Sequence, residues 1–345
     1  ELYNGQWDDL QIPGGDGMEC IIDYTNGVIQ YASWYSGGIL KTNDGWITPQ
    51  LFCLNDSTGV HEPGAWVTPY LMHPTNNNTL IVGKSQVYQT TNGGTTWSQL
   101  GTISGMTGKI KSMAYAPSNP QVIYVASDGE IWKTTNGGNS WFLFTTSALS
   151  ITYLAVDPNN PDRVWLSNSG YVTADKVWLI DGSGNWINYS GSLPNVPANC
   201  IVYENGSNDG LYVGTDLGVY YRDATMNDWI KLDNGLPNVV VTELEISYIN
   251  NKLWAGTFGR GLWECDIVVS GCTDPLACNY NPQANINDNS CSYMSVNAFS
   301  TNVTCYGGTN GTAMVTVSSG AAPYTYLWST GSTNPSISGL YAASY

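Results

Sequence analysis

The sequence predicts an all-β chain: a β-propeller of six blade-like units, then a small cysteine-stapled joint and part of a β-sandwich. Three observations carry this. Tryptophan recurs at positions 97, 141, 186 and 229, at spacings of 44, 45 and 43 residues. Each period holds four short apolar runs bounded by Gly, Asn and Pro, which is the grammar and length of a propeller blade. No apolar 3.6-residue period of helical length occurs.

Within a unit, the first run ends in a turn, often with proline, as in Pro69-Tyr-Leu-Met-His-Pro74, Ser112-Met-Ala-Tyr-Ala-Pro117 and Tyr153-Leu-Ala-Val-Asp-Pro158. A second run follows: Thr79-Leu-Ile-Val82, Val122-Ile-Tyr-Val125, Arg163-Val-Trp-Leu166, Gly210-Leu-Tyr-Val213. The third enters an Asn-Gly-Gly turn and the fourth begins at the Trp. Units start near residues 17, 65, 109, 151, 198 and 239, and the propeller is expected over 1–268. The last unit has three strands. The stretch 3–11, around Gly5-Gln-Trp-Asp-Asp-Leu10, has the pattern of a fourth strand. It either closes the last blade or ends an upstream blade of a longer protein, and the second is preferred here.

The recurring turn has a physical account. Thr90-x-Asn92-x-Gly94-x-Thr96-Trp97 and Thr134-x-Asn136-x-Gly138-x-Ser140-Trp141 share one pattern, with weaker copies ending at Trp186 and Trp229. The Asn side chain caps the turn, Gly takes a backbone conformation closed to other residues, and the Trp packs between neighbouring sheets. An earlier copy, Lys41-Thr-Asn-Asp-Gly45, has lost the Trp from its place. These turns resemble the Asp-box hairpins of sialidases, xyloglucanase-type glycoside hydrolases, sortilin-like receptors and photosystem-assembly propellers, with Asn in the Asp place. The closing stretch, Leu236-Pro-Asn-Val through Thr257-Phe-Gly-Arg-Gly-Leu-Trp-Glu264, resembles the last blade of secreted sortilin- or xyloglucanase-like propellers of Bacteroidota.

Composition limits the function. Eleven Lys and Arg against 27 Asp and Glu give a net charge of −16, which argues against nucleic acid and anionic lipid as partners. No apolar run approaches a membrane span. Eight cysteines in an acidic, Lys-poor chain point to an oxidising compartment. Cys20 and Cys200, each opening an apolar run, read as buried free thiols.

Residues 269–293 change to Asn, Asp and Cys. Gly271-Cys-Thr-Asp274, Asn279-Tyr-Asn-Pro282 and Asp288-Asn-Ser-Cys291 resemble a short module repeated in Bacteroidota surface proteins. So short a segment needs a covalent or metal staple. Cys272 with Cys291 is the preferred bridge, and Cys278 could pair in addition with Cys265 just outside, the connectivity being left open by the sequence. Asp274, Asn279, Asn281 and Asp288 offer hard oxygens for Ca²⁺, against the alternative that they only cap turns. No other cofactor is expected.

From residue 294, alternation in Thr312-Ala-Met-Val-Thr-Val317 and Tyr324-Thr-Tyr-Leu-Trp328 gives short sandwich strands. This segment, 294–345, closely resembles an immunoglobulin-like SprB-type repeat, truncated before its last strand. The order propeller, joint, repeat is similar to slices of large surface adhesins or appendage proteins exported by type 9 secretion.

Catalytic material is sparse. His61 and His73 are the only histidines. Arg163, Arg222 and Arg260 match a sialidase triad in number only, and that reading is rejected. Glycosidases need two carboxylates across a cleft, and Asp16 in Gly14-Gly-Asp-Gly17 is the one candidate. Trp34 and Tyr35 could stack on sugar rings. The expectation is a non-catalytic extracellular adhesion or structural module contacting surface glycans or proteins and self-assembling into an appendage. The alternatives are a xyloglucanase-like hydrolase and a sortilin-like peptide receptor.

Overall fold

A computed structural model describes residues 2–3, 6–7, 17–53, 59–60, 62–232, 235–320 and 322–343. Asp16, His61 and most of the expected strand 3–11 lie outside the described residues. The chain divides into two compact units, Glu1–Asp266 and Ile267–Tyr345.

In the first unit, β1 (Leu2–Tyr3) and β2 (Gln6–Trp7) form an antiparallel hairpin. Six antiparallel sheets follow, each with its strands in chain order. The first holds β3 (Gly17–Ile22), β4 (Gln30–Trp34), β5 (Gly38–Thr42) and β6 (Gln50–Cys53). The second holds β7 (Tyr70–His73), β8 (Asn76–Gly83), β9 (Val87–Thr90) and β10 (Ser98–Gln99). The third holds β11 (Ser112–Tyr115), β12 (Ile123–Ser127), β13 (Glu130–Thr134) and β14 (Phe142–Thr146). The fourth holds β15 (Ile151–Val156), β16 (Val164–Asn168), β17 (Val177–Ile180) and β18 (Trp186–Asn188). The fifth holds β19 (Ala198–Tyr203), β20 (Leu211–Thr215), β21 (Gly218–Arg222) and β22 (Ile230–Lys231). The sixth holds only β23 (Val241–Ser247), β24 (Lys252–Thr257) and β25 (Gly261–Asp266).

First strands of successive sheets are neighbours, from β7 through β11, β15 and β19 to β23, and Tyr70 on β7 donates to the Glu19 carbonyl on β3 at 2.9 Å. The six sheets therefore stand radially around a channel lined by their first strands, as blades of a β-propeller. The second strands are sandwiched on both faces: every residue of β12, β16 and β20 is buried. This explains why they read as continuous apolar runs rather than alternating ones. Each apolar cluster joins two successive blades. Tyr31, Phe52, Tyr70 and Trp97 pack between the first and second, and Trp165, Tyr203 and Trp229 between the fourth and fifth.

The periodic tryptophans are interblade latches. The indole N–H of Trp97 donates to the Phe52 carbonyl of the preceding blade (3.1 Å), Trp141 to Leu100 O (2.9 Å), Trp186 to Thr145 Oγ1 (3.1 Å) and Trp229 to Tyr189 O (2.6 Å). The turns before them are built alike. Asn92 Oδ1 accepts from the Thr96 amide and Gly94 N donates to Thr90 Oγ1; Asn136, Ser140, Gly138 and Thr134 repeat this. The first blade keeps the same turn, the copy that the sequence shows at 41–45. Asp44 Oδ1 accepts from Thr48 N (3.0 Å), and the amide that reaches Thr42 Oγ1 (2.7 Å) belongs to Trp46, at φ +72° where the other copies have Gly. Pro49 stands in the latch position, so this blade offers no indole to its predecessor.

In the second unit, β26 (Ser270–Gly271) and β27 (Ile286–Asn287) pair in parallel and a disulfide joins Cys272 to Cys291. The strands β28 (Ser295–Thr301), β29 (Gly311–Ser319) and β30 (Ser336–Leu340) form a three-stranded antiparallel sheet. Its Ala313, Val315 and Val317 are half-buried while Thr312, Met314 and Thr316 are exposed. Among the described residues no helix is long and apolar enough to cross a membrane.

Candidate acidic channel and aromatic rim

Strands alternate in direction within each blade, so the starts of the first strands, the second-to-third turns and the blade-to-blade links share one rim. The Asn-Gly-Gly turns lie on the other. The first strands β15, β19 and β23 each carry a register shift at matching places, after Ile151, Ala198 and Val241. Such a bulge re-aims the side chains that follow it. It brings Tyr153, Cys200 and Glu243 to equivalent positions, opposite Ser167, Gly214 and Gly256. The extra residue of the first two bulges ties one blade to the next. Thr152 donates to Ala198 O (2.7 Å) and Asn199 Nδ2 to Val241 O (3.1 Å). Thr242 in the sixth blade bonds within its own sheet, to Gly256 O at 3.3 Å.

At this end of the channel the Tyr153 hydroxyl donates to Glu243 Oε1 at 3.1 Å. Glu19 on β3 and Glu245 on β23 act electrostatically on the same site. Glu245 is reachable by solvent yet nearly surrounded by protein, as a side chain in a narrow channel must be. No Lys or Arg pairs with the three carboxylates among the described residues. Burial first, then the neighbouring acid charge, pushes the Glu243 carboxyl up to about 7. Glu19 is raised well above its ordinary value by burial and by the Glu243 and Glu245 charges. Burial raises Glu245, and burial plus Glu243 raises the Cys200 thiol. Cys200 is buried as expected. Cys20 is instead exposed, on the first strand of the first blade.

The same rim carries exposed aromatics. Tyr35, in the β4–β5 turn, stacks on Trp66, in the link to the second blade, with ring centres 5.2 Å apart and planes 14° from parallel. The Ser36 amide donates to Trp66 O at 3.1 Å, fixing the two loops together. Trp66 is 60% exposed, and Tyr171 (69%) and Phe258 (78%) stand on other turns of this rim. Trp34 is half-buried with its ring against Gly38.

The other residues singled out by sequence have structural duties. Arg163 clamps Asp157 and Asp209, each at 2.8 Å, and lies over Trp165; Arg222 lies over Tyr189. His73 closes β7, its Nδ1 accepting from Thr75 N at 3.2 Å, and burial lowers its pKa. In the second unit Asp274 accepts from Leu276 N and from the Tyr293 hydroxyl, Asn279 from Ser292 N, Asn281 from Gln283 N and Asp288 from Ser290 N. Asp274, Asn281 and Asp288 thus each cap a local turn, while Asn279 ties to the distant Ser292, and among the described residues no three His, Cys, Asp or Glu cluster as a metal site. Cys265 and Cys278, the possible second bridge, are both free thiols. Cys265 is fixed opposite Leu253 in β25, while the Cys278 backbone is tied to Ser292.

Sequence reasoning missed Glu19, Tyr153, Glu243 and Glu245. A signal was present: acids inside the apolar first strands of a chain with only 11% charged residues.

Comparison with known proteins agrees with this architecture. Residues 297–333 match the SprB repeat family. No curated protein matches the sequence. Among solved structures, the GH74 xyloglucanase from Xanthomonas campestris superposes with a TM-score of 0.57 at 13% identity, over 71% of this chain and 43% of that one. The GH74 enzyme from Niastella koreensis gives 0.56 at 15%, over 86% and 50%. YCF48 bound to D1 peptide gives 0.53 at 12%, over 81% and 86%. This chain thus spans half or less of the two GH74 enzymes. At such identities the likeness establishes the propeller fold alone. The SprB match points to the cell surface.

Proposed function

We propose that this chain is an extracellular contact module of a larger cell-surface protein, in which the propeller rim bearing Tyr35, Trp66 and the acidic channel mouth meets surface glycans or neighbouring proteins. The observation that carries this is the SprB repeat at 297–333 downstream of the propeller. The stacked, exposed Tyr35–Trp66 pair supports glycan contact, since an aromatic face suits the C–H face of a sugar ring. Export by type 9 secretion and assembly into an appendage belong to the same reading. The test is binding of the purified chain to a polysaccharide and cell-surface panel. Wild-type retention lost in Trp66→Ala supports the reading; equal retention of both removes the rim from it.

A second reading, a glycoside hydrolase, is favoured by one observation. Glu243, held near neutral pKa, faces other carboxylates, and paired acids of split pKa are what glycosidases use. Reducing-sugar release from polysaccharides, abolished by Glu243→Gln or Asp16→Ala, would establish it in place of the first.

A further inference from the structure

We propose that an open pocket between the third and fourth blades is a binding site for a single neutral sugar ring, separate from the Tyr35–Trp66 pair. The choice of sugar as the ligand class rests on the glycan reading above; the pocket itself does not. It lies on the same rim, has a volume of about 240 Å³ and is lined by Lys111, Asp128, Gly129, Leu149, Ser150 and Ile151. That volume suits one pyranose and falls short of a drug-sized ligand. Its walls are fixed. Asp128-Gly129 form the two-residue turn joining β12 to β13, with φ of +38° and +84°, the left-handed pair that Asp-Gly hairpins favour. Ser147 N donates to Gly129 O at 2.7 Å and Ser169 N to Ser150 O at 2.9 Å, so the blade-to-blade link is pinned at both ends.

A missing tie opens this junction. Lys111 follows the buried Ile110 as Thr152 follows Ile151 and Asn199 follows Ala198. Strand pairing fixes the correspondence: Ser112 faces Ala126 as Tyr153 faces Ser167 and Cys200 faces Gly214. Thr152 and Asn199 reach across to the Ala198 and Val241 carbonyls of the next blade. Lys111 does not: its Nζ turns back to Asp128 Oδ1 at 2.5 Å, within its own blade. The equivalent acceptor, Ile151 O, receives no side-chain donor among the described residues, and Ile151 borders the pocket. Ring hydroxyls fit this set. Lys111 keeps two N–H donors and Asp128 keeps the lone pairs of Oδ2, so adjacent hydroxyls, each donor and acceptor at once, answer both charges and the free carbonyl. The Lys–Asp pair is neutral as a unit, and a chain of net charge −16 disfavours an anionic ligand. Leu149 and Ile151 supply an apolar patch for the C–H face. Tyr171, exposed two residues past the Ser169 anchor, offers a ring for stacking.

The test uses the full chain with its isoleucine methyls labelled for NMR, Ile151 being assigned through Ile151→Val. Methyl glycosides of glucose, galactose, mannose and N-acetylglucosamine are the probes. At least one is expected to shift the Ile151 methyl saturably, and Lys111→Met and Ala148→Trp weaken that response about tenfold or more. Ala148 is an exposed lining residue, so its replacement fills the pocket and leaves both charges in place. No shift with any probe, or the same titration curve in wild type and Lys111→Met, overturns the proposal. An equal response to glycerol reduces the site to an unselective polyol pocket and overturns it too. Should Lys111→Met fail to fold, Ala148→Trp decides alone. The rim reading is scored apart, by Trp66→Ala on the polysaccharide panel. Retention lost there with no Ile151 shift overturns the pocket alone. An Ile151 shift in a chain that no polysaccharide retains supports the pocket and removes the rim.

Discussion

The Tyr153 hydroxyl donates a 3.1 Å hydrogen bond to Glu243 Oε1, joining the first strands of the fourth and sixth blades past the blade between them. With the Leu244 amide, which donates to the same oxygen at 3.3 Å, it opposes the like charge that Glu245 adds at this carboxylate.

Stability is therefore expected to fall as pH rises. The Glu243 carboxyl sits near 7 in the fold against an ordinary value of 4.5, and Glu19 and Glu245 are raised as well. A raised carboxyl binds its proton more tightly in the folded state. Its contribution is complete below about pH 4.5 and is lost as pH climbs through about 7. For Glu243 alone this is at most about 3 kcal/mol. Thermal melts from pH 5 to 9 should show propeller Tm declining with pH, with a flatter profile in Glu243→Gln. A wild-type Tm that rises across this range would contradict the assignment.

The latch tryptophans should be graded by substitution. Trp229→Phe keeps ring packing but leaves Tyr189 O without its indole donor, a loss of about 1 kcal/mol. Trp229→Ala empties a buried interblade cluster and costs about 3–5 kcal/mol. Urea unfolding of the two variants measures the gap.

Two adjacent glycines should differ sharply. A Cβ at Gly94 would run into the Phe52 ring of the preceding blade, at a backbone φ of +93°. At Gly93 the nearest atom would be Lys41 Nζ at 3.5 Å. Gly93→Ala then carries only the left-handed backbone cost of about 1–2 kcal/mol, whereas Gly94→Ala adds a steric clash with an aromatic core. Denaturant midpoints that coincide would refute the packing argument.

Reduction should act on one unit. The Cys272–Cys291 bond closes a loop of 19-residue separation in a segment with little apolar core. Its removal in Cys272→Ser/Cys291→Ser costs the second unit about 2–4 kcal/mol. Proteolysis after reduction should begin within 267–293, with the propeller melt unchanged.

The blade repeat was legible because its information is local. Thr90, Asn92, Gly94 and Trp97 lie within one turn, and their chemistry requires that spacing wherever the turn is built. The same locality had a limit: in the first blade Asp44 and Thr48 form the turn around Trp46, a residue no spacing rule would place in a glycine position.

Sequence alone settled that this chain is a stack of four-stranded β units, each too small to bury its own apolar face, ending in a cysteine-rich joint and a repeat. Ring closure decided the rest. Which acceptor each indole meets, and that acids at positions 19, 243 and 245 converge on Tyr153, depend on contacts between residues far apart in the chain, Glu19 and Glu245 being 245 − 19 = 226 positions apart. Only radial packing brings such residues together, because neither strand periodicity nor turn chemistry carries information across the channel.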